Sequence, residues 1–185
     1  MNQVLSTIAA RRSHRAYQPQ QLTPAQLDAL LAAALQSPSA MNRQPWHFSV
    51  VQNNALLAEI NDAVRENAMK RPEDQRSPRF ADPAFDVFYH APTVIFLSAD
   101  QQNRWNAIDC GIAVENLALA AESMGLGSVV LGLPREAFQG EKAPRLRQEL
   151  HFPEGYDFVI ALAVGVPADN KPAHPVGENK ITIIG

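Results

Sequence analysis

The sequence predicts a single domain of mixed helix and sheet built around one long buried helix, and three observations carry that prediction. The first is the stretch from Asn103 to Leu133, which reads as a helix, a stop and a strand. From Trp105 to Met124 small and apolar residues fall on nearly every face, interrupted chiefly by Asp109, Glu115, Asn116 and Glu122. A helix apolar all round has to be covered all round, which makes this one central. Gly125 and Gly127 end it, since glycine accepts the left-handed backbone of a helix C-terminus, and Ser128 to Leu131 has the β-branched composition of a strand. The second observation is a pair of apolar strands, Thr93 to Ala99 and Phe158 to Val166. The latter is apolar on both alternations, as an interior strand covered on both faces should be. The third is the length of 185 residues, which fits one domain with a sizeable core.

The remaining elements follow in order. Asn2 to Ala10 predicts a short helix with Val4, Leu5 and Ile8 on one face. Thr23-Pro24-Ala25-Gln26 combines an N-cap, proline at the first helical position and glutamine three residues after the cap. It starts a helix running to about Gln36, with Leu27, Leu30, Leu31 and Leu35 expected inside. Trp46 to Gln52 alternates and is rich in aromatic and β-branched residues, so it reads as a strand. Asn53 or Asn54 caps a helix to about Met69, with Leu56, Leu57, Ile60 and Val64 inward. Lys70 to Pro83 has no apolar period and reads as a mobile loop or a lid. A short helix is expected at Ala84 to Tyr89, closing an insertion over 70–90, and another at Pro144 to Leu150. Residues 167–185 form a C-terminal arm whose Ile181 to Ile184 would be an aggregation-prone edge if left unpaired.

Composition excludes several functions. A net charge of -3 argues against a general nucleic-acid surface, which needs a basic field. No apolar run approaches a membrane span and no signal peptide is expected. The acid-free segment Met1 to Gln18 has a superficial likeness to a transit peptide, but its arginines find a better use below. The single cysteine, Cys110, lies in the apolar helix and is expected to be a core thiol of a cytoplasmic protein. The five histidines lack metal-ligand spacing, and nucleophile elbows, phosphate-binding glycine loops and zinc motifs are absent.

Two loops carry chemistry. Arg11-Arg12-Ser13-His14-Arg15 packs three guanidiniums and a hydroxyl into five residues, a donor set suited to phosphate and other planar anions; taken alone it could equally be a solvated basic turn. Ser37-Pro38-Ser39-Ala40-Met41-Asn42-Arg43-Gln44-Pro45-Trp46 is polar and bounded by prolines. Such a loop presents amides and backbone groups to the edge of a polar ring, or is simply a connector.

These two loops, together with Met124-Gly125-Leu126-Gly127-Ser128-Val129-Val130-Leu131-Gly132 at the end of the central helix, resemble the nitroreductase family. The likeness runs from about Ile8 to Lys171. It implies an α+β fold with a mixed or antiparallel sheet flanked by helices, FMN as cofactor, and NADH or NADPH as electron donor. It also implies a homodimer with composite sites, the central helix at the dimer interface and the C-terminal strand exchanged with the partner.

By the same resemblance, Arg11 and Ser13, with Arg12 between them, match positions at the FMN phosphate, and Arg15 a cationic position beside the pyrimidine edge of the flavin. Positive charge there stabilises the reduced, anionic ring. Asn67 and Lys70 match an Asn-x-x-Lys pair on that edge. Val130, Leu131, Gly132 and Leu133 match the backbone along the isoalloxazine, with an N–H near Gly132 approaching N5. Some relatives carry an acid at that position, and this chain has glycine. Pro38, Ser39, Ala40, Met41, Asn42 and Gln44 match the loop that reaches the partner's flavin. Members often place two basic residues after the last core strand; here Lys171 is followed by Pro172, with His174 the next candidate. No side chain is expected to act as nucleophile or general acid.

The implied activity is hydride transfer from NAD(P)H through flavin N5 to a nitroaromatic or quinone. Two other functions fit the sequence less well. One is the same fold with a flavin serving dehalogenation, dehydrogenation or flavin breakdown. The other is a non-enzymatic module binding a phosphorylated ligand or nucleic acid.

Overall fold

Alternating burial along two strands explains the architecture. In β2 (Thr93–Asp100), Val94 and Phe96 face one core while Ile95, Leu97 and Ala99 face another. In β4 (Tyr156–Gly165), Ala161 and Ala163 oppose Leu162 and Val164 in the same way. Apolar residues on both alternations require cover on both faces, and the computed structural model, which describes residues 2–173 and 175–185, supplies it. The helices are α1 (Gln3–Ala10), α2 (Pro24–Leu35), α3 (Asn54–Met69), α4 (Asn106–Ser123) and α5 (Ala143–Glu149). With β1 (Trp46–Val51) and β3 (Gly127–Leu131), the strands form one antiparallel sheet of order β1-β2-β4-β3. One face packs on α3, α5 and the turn after β3, the other on α2 and α4. This is the α+β arrangement the sequence predicts.

Local chemistry sets the element ends. Thr23 and Gln26 form the reciprocal capping box of α2, and Asn53 accepts the N–H groups of Ala55 and Leu56 to start α3. At the end of α4, Leu126 N–H reaches Ala121 O at 2.9 Å and Gly125 N–H reaches Glu122 O at 3.0 Å. These are the two bonds of a Schellman stop, with Gly125 at φ +71 as it demands. Gly127 does not share that role: it opens β3.

Two expectations are corrected and two are made specific. First, Ala84 to Tyr89 forms no helix: the Asp86 carboxylate accepts from Phe88 and His90 N–H, and Tyr89 and His90 both take positive φ, which a helix cannot hold. Second, the 70–83 segment, read as a mobile loop or a lid, has local structure. It makes two 3-10 turns, Glu73–Gln75 and Pro78–Ala81, buries Phe80 and is tied to α3 by Arg65. That guanidinium donates to Phe85 O at 2.7 Å and to Asp82 O and Pro83 O at 3.2 Å. Third, α2 buries the Leu30–Ala34 stripe while Leu35 is exposed, because small apolar residues surround the helix and the period alone did not choose a face. Fourth, the chain by itself supplies only part of the cover α4 needs: Ile108 and Ile112, one turn apart, are 57% and 37% exposed. Residues 181–184 form no strand within the chain and lie exposed.

Gly127 allows a close approach between segments near the sheet edge. A Cβ there would lie 2.9 Å from both His14 Cγ and Pro167 Cβ. Gly127→Ala should therefore destabilise the chain by about 1–3 kcal/mol through overpacking, measured as a lower urea midpoint at unchanged slope.

Candidate functional site

The arginine loop is fixed in place by backbone pairing on two sides. Leaving α1, it runs beside β3, where Ser13 bridges Ser128 in parallel and His14 N–H donates to Ser128 O at 2.9 Å. It then meets the chain leaving β4: Gln18 N–H donates to Val166 O and Ala168 N–H to Ala16 O, both at 2.9 Å. Tyr17 closes the seam by donating its hydroxyl to His14 O at 2.8 Å; burial and the nearby Asp169 carboxylate push that phenol well above its ordinary range.

Side chains on this loop divide by role. Arg11 reaches Glu115 of α4 at 3.3 Å. Arg12 turns back instead, donating at 2.7 Å to Ala9 O and Arg11 O, where it closes the C-terminus of α1. Arg15 lies with its guanidinium carbon 5.8 Å from the centre of the Tyr89 ring, and its backbone N–H donates to Asp169 Oδ2 at 3.2 Å. Beside it a cleft of about 320 Å³ is lined by Arg15, Tyr17, Phe85, Tyr89 and His90 among others.

Asp169 ties the loop to Lys171. Its Oδ1 is 2.6 Å from His14 Nδ1, and its Oδ2 meets Lys171 Nζ at 3.0 Å as well as the Arg15 N–H. Burial opposes the charge, but the His14 and Lys171 contacts and the Arg15 N–H outweigh it and hold the carboxyl at about 2. His174, the other basic candidate of the arm, lies outside the described residues.

Asn67 and Lys70 sit where α3 meets the turn after β3. The Asn67 amide donates to Glu136 O at 2.9 Å, and Lys70 Nζ donates to Asn67 Oδ1 at 3.4 Å. Gly140 makes room: a Cβ there would collide with the Asn67 amide. Val130 is part-exposed on the edge strand and Leu131 buried, and Gly132 leads into a 3-10 segment, Leu133–Gln139. An added Cβ at Gly132 meets nothing within 4 Å, so no steric reason excludes a side chain there.

The 38–44 loop is held by Asp109 of α4, and among the described residues no hydrogen bond or ion pair joins it to Arg11, Ser13, Arg15, Asn67, Lys70 or Lys171. Its shape is strained and well anchored. Met41, Asn42 and Gln44 all take positive φ. Ser39 Oγ accepts from Gln44 N–H at 2.9 Å, Asn42 Oδ1 accepts from the Gln44 amide at 3.2 Å, and Asp109 Oδ1 accepts from Ala40 N–H at 3.2 Å. Asn116 donates to Ser37 Oγ at 2.8 Å. Pro38 and Met41 are left facing outward, Met41 at 85% exposure.

Sequence reasoning missed His14, Asp169, Tyr89 and Asp109. His14 stood inside the motif without a partner to suggest its use, and Asp169 showed only as an acid two residues before Lys171. Cys110 is the core thiol expected, pushed up to about 12 by burial and by Asp109. Among the described residues no helix is long and apolar enough to cross a membrane, and no cluster of three metal-ligating side chains occurs.

The model of the nitroreductase family matches residues 8–166. A relative from Archaeoglobus fulgidus, whose name couples NADH dehydrogenase with NAD(P)H nitroreductase, is 34% identical over 92% of this chain and 89% of its own length. Among solved structures, a nitroreductase with bound FMN from Desulfitobacterium hafniense is 35% identical with a TM-score of 0.94. One from Bacteroides fragilis, also with bound FMN, is 30% identical with a TM-score of 0.93; each match covers 100% of both chains.

The Asp169 contacts give a pH prediction. A carboxyl held down at about 2 adds stability that is complete above the unfolded value near 3.9 and is lost as pH falls toward the folded value. Urea melts from pH 5 to pH 2 should therefore show a steeper acid loss for the wild type than for Asp169→Asn.

Proposed function

The chain belongs to the nitroreductase family and is an FMN-dependent oxidoreductase, and from that premise we propose that it takes hydride from NADH or NADPH and passes two electrons to a small acceptor, a nitroaromatic or quinone, in a ping-pong cycle. One set of contacts carries this reading: the arginine loop bridges β3 at Ser128, Lys171 is paired with Asp169, which accepts from that loop, and Asn67 donates to Glu136 O in the segment that follows β3.

The donor set fits the cofactor. Arg11, Ser13 and Lys171 supply two cations and a hydroxyl for a phosphate. Arg15 supplies a positive charge for the pyrimidine edge, and Asn67 with Lys70 offers an amide and an ammonium to the same polar rim. Bound FMN supplies the redox chemistry at N5. The protein's part is to hold the ring, to place a backbone N–H near Gly132 and to favour negative charge beside Arg15. No nucleophilic side chain is needed, which agrees with the inert Cys110.

The 38–44 loop belongs, in this reading, to the site of a second copy. Ile108 and Ile112 of α4, Leu35 of α2, and Val4, Leu5 and Ile8 of α1 leave an apolar face uncovered. A homodimer would bury it and carry Met41 and its neighbours to the partner's flavin. Among the described residues the outer edge of β1 has no strand partner, and Ile181, Ile183 and Ile184 are each at least 85% exposed. Exchange of that arm onto the partner's sheet would satisfy both. A cytoplasmic setting completes the reading.

Absorption spectroscopy tests it. The purified protein should be yellow and should bleach on anaerobic addition of NADH or NADPH; a colourless protein that fails to take up FMN would sink the proposal. Arg15→Ala should lower the flavin's reduction potential and slow its reduction, and an unchanged potential would remove the role given to Arg15.

A further inference from the structure

Lys171 carries more of the phosphate end than a single lysine normally would. It is the first basic residue after β4, nine positions before the arm's other described one, Lys180, and Pro172 behind it offers no backbone N–H in its place. Among the described residues its only ion-pair or hydrogen-bond partner is Asp169. A free lysine side chain samples many rotamers, so an isolated ammonium would bind phosphate with a large ordering cost.

Asp169 removes that freedom. Both of its oxygens are engaged, Oδ1 by His14 and Oδ2 by the Arg15 N–H and by Lys171. His14 is itself fixed, with its N–H on Ser128 O and its ring against Gly127. The carboxylate therefore stands at a set place relative to β3 and the arginine loop, and one N–H of the Lys171 ammonium is directed to it. Two N–H groups remain for an anion.

We propose that Asp169, clamped by His14, is the positioning residue of the phosphate end: it fixes Lys171 against the arginine loop and so gives the chain its preference for FMN over riboflavin. This rests on the reading of Arg11, Ser13 and Lys171 as that end of the site. The carboxylate touches neither phosphate nor ring; it acts through the lysine.

Titration of apoprotein with FMN and with riboflavin, which lacks the phosphate, tests the assignment. Lys171→Met and Asp169→Asn should each weaken FMN roughly tenfold, the scale of one charge-assisted hydrogen bond, and leave riboflavin unchanged. The double variant should be no weaker than Lys171→Met alone, because the two act as one unit. His14→Asn, which keeps both charges but frees the carboxylate, should give a smaller loss of the same selectivity and serves if Asp169→Asn does not fold. Equal weakening of both flavins, tighter FMN binding in Asp169→Asn, or multiplying effects in the double variant would each overturn the proposal. A wild type that binds both flavins equally would overturn the phosphate reading itself, and the proposal with it.

Discussion

Two-sided burial of β2 and β4 is the constraint on which the rest depends. Because Val94 and Phe96 point one way and Ile95 and Leu97 the other, helices must cover both faces of the sheet and neither face is free for a ligand. A site then has to lie at the rim. On the β3 side, Ser128 accepts His14 N–H outside the sheet proper, so the strand edge is half used by the arginine loop and ends beside it at Val130 to Gly132. The side chains proposed to hold the cofactor lie on loops after α1 and β4 that meet there without uncovering the core.

Helix α4 anchors both candidate loops through its few polar residues. Glu115 holds Arg11, Asn116 holds Ser37, and Asp109 holds Ala40. A carboxylate as buried as Asp109 is costly unless hydrogen bonds compensate it, and its second oxygen has no partner among the described residues. The polar breaks in an otherwise apolar helix thus correspond to loops that the helix must anchor. Its apolar remainder splits between the core and the open stripe of Ile108 and Ile112.

Much of this was legible from the chain. The apolar alternation of β4, the capping box of α2 and the Gly125 stop of α4 each depend on local chemistry and stand as read. The helix expected at Ala84 to Tyr89 failed because Asp86 offered the backbone a competing acceptor, a choice that composition does not reveal. The buried face of α2 was misjudged because Ala32, Ala33 and Ala34 blur the amphipathic period. At the candidate site, Arg11 and Lys171 could be singled out by type, whereas Asp169 and His14 matter through a contact across 155 positions that no local pattern encodes.

That contact bears on how a site rich in cations can exist before an anion arrives. Arg11 and Lys171 would repel each other across one small region, yet each has an internal carboxylate, Glu115 and Asp169. Partly exposed pairs of this kind contribute only about 0–1 kcal/mol, so they order the cations at little expense to a competing ligand. A phosphate offers more: several oxygens at once, and charge-assisted bonds to an arginine's paired N–H groups. Arg11 can exchange Glu115 for such a ligand outright. Lys171 need not let go, since its remaining N–H groups are free while His14 and the Arg15 N–H continue to balance Asp169. The same carboxylate therefore keeps the empty loop together and leaves the lysine aimed when the loop is filled.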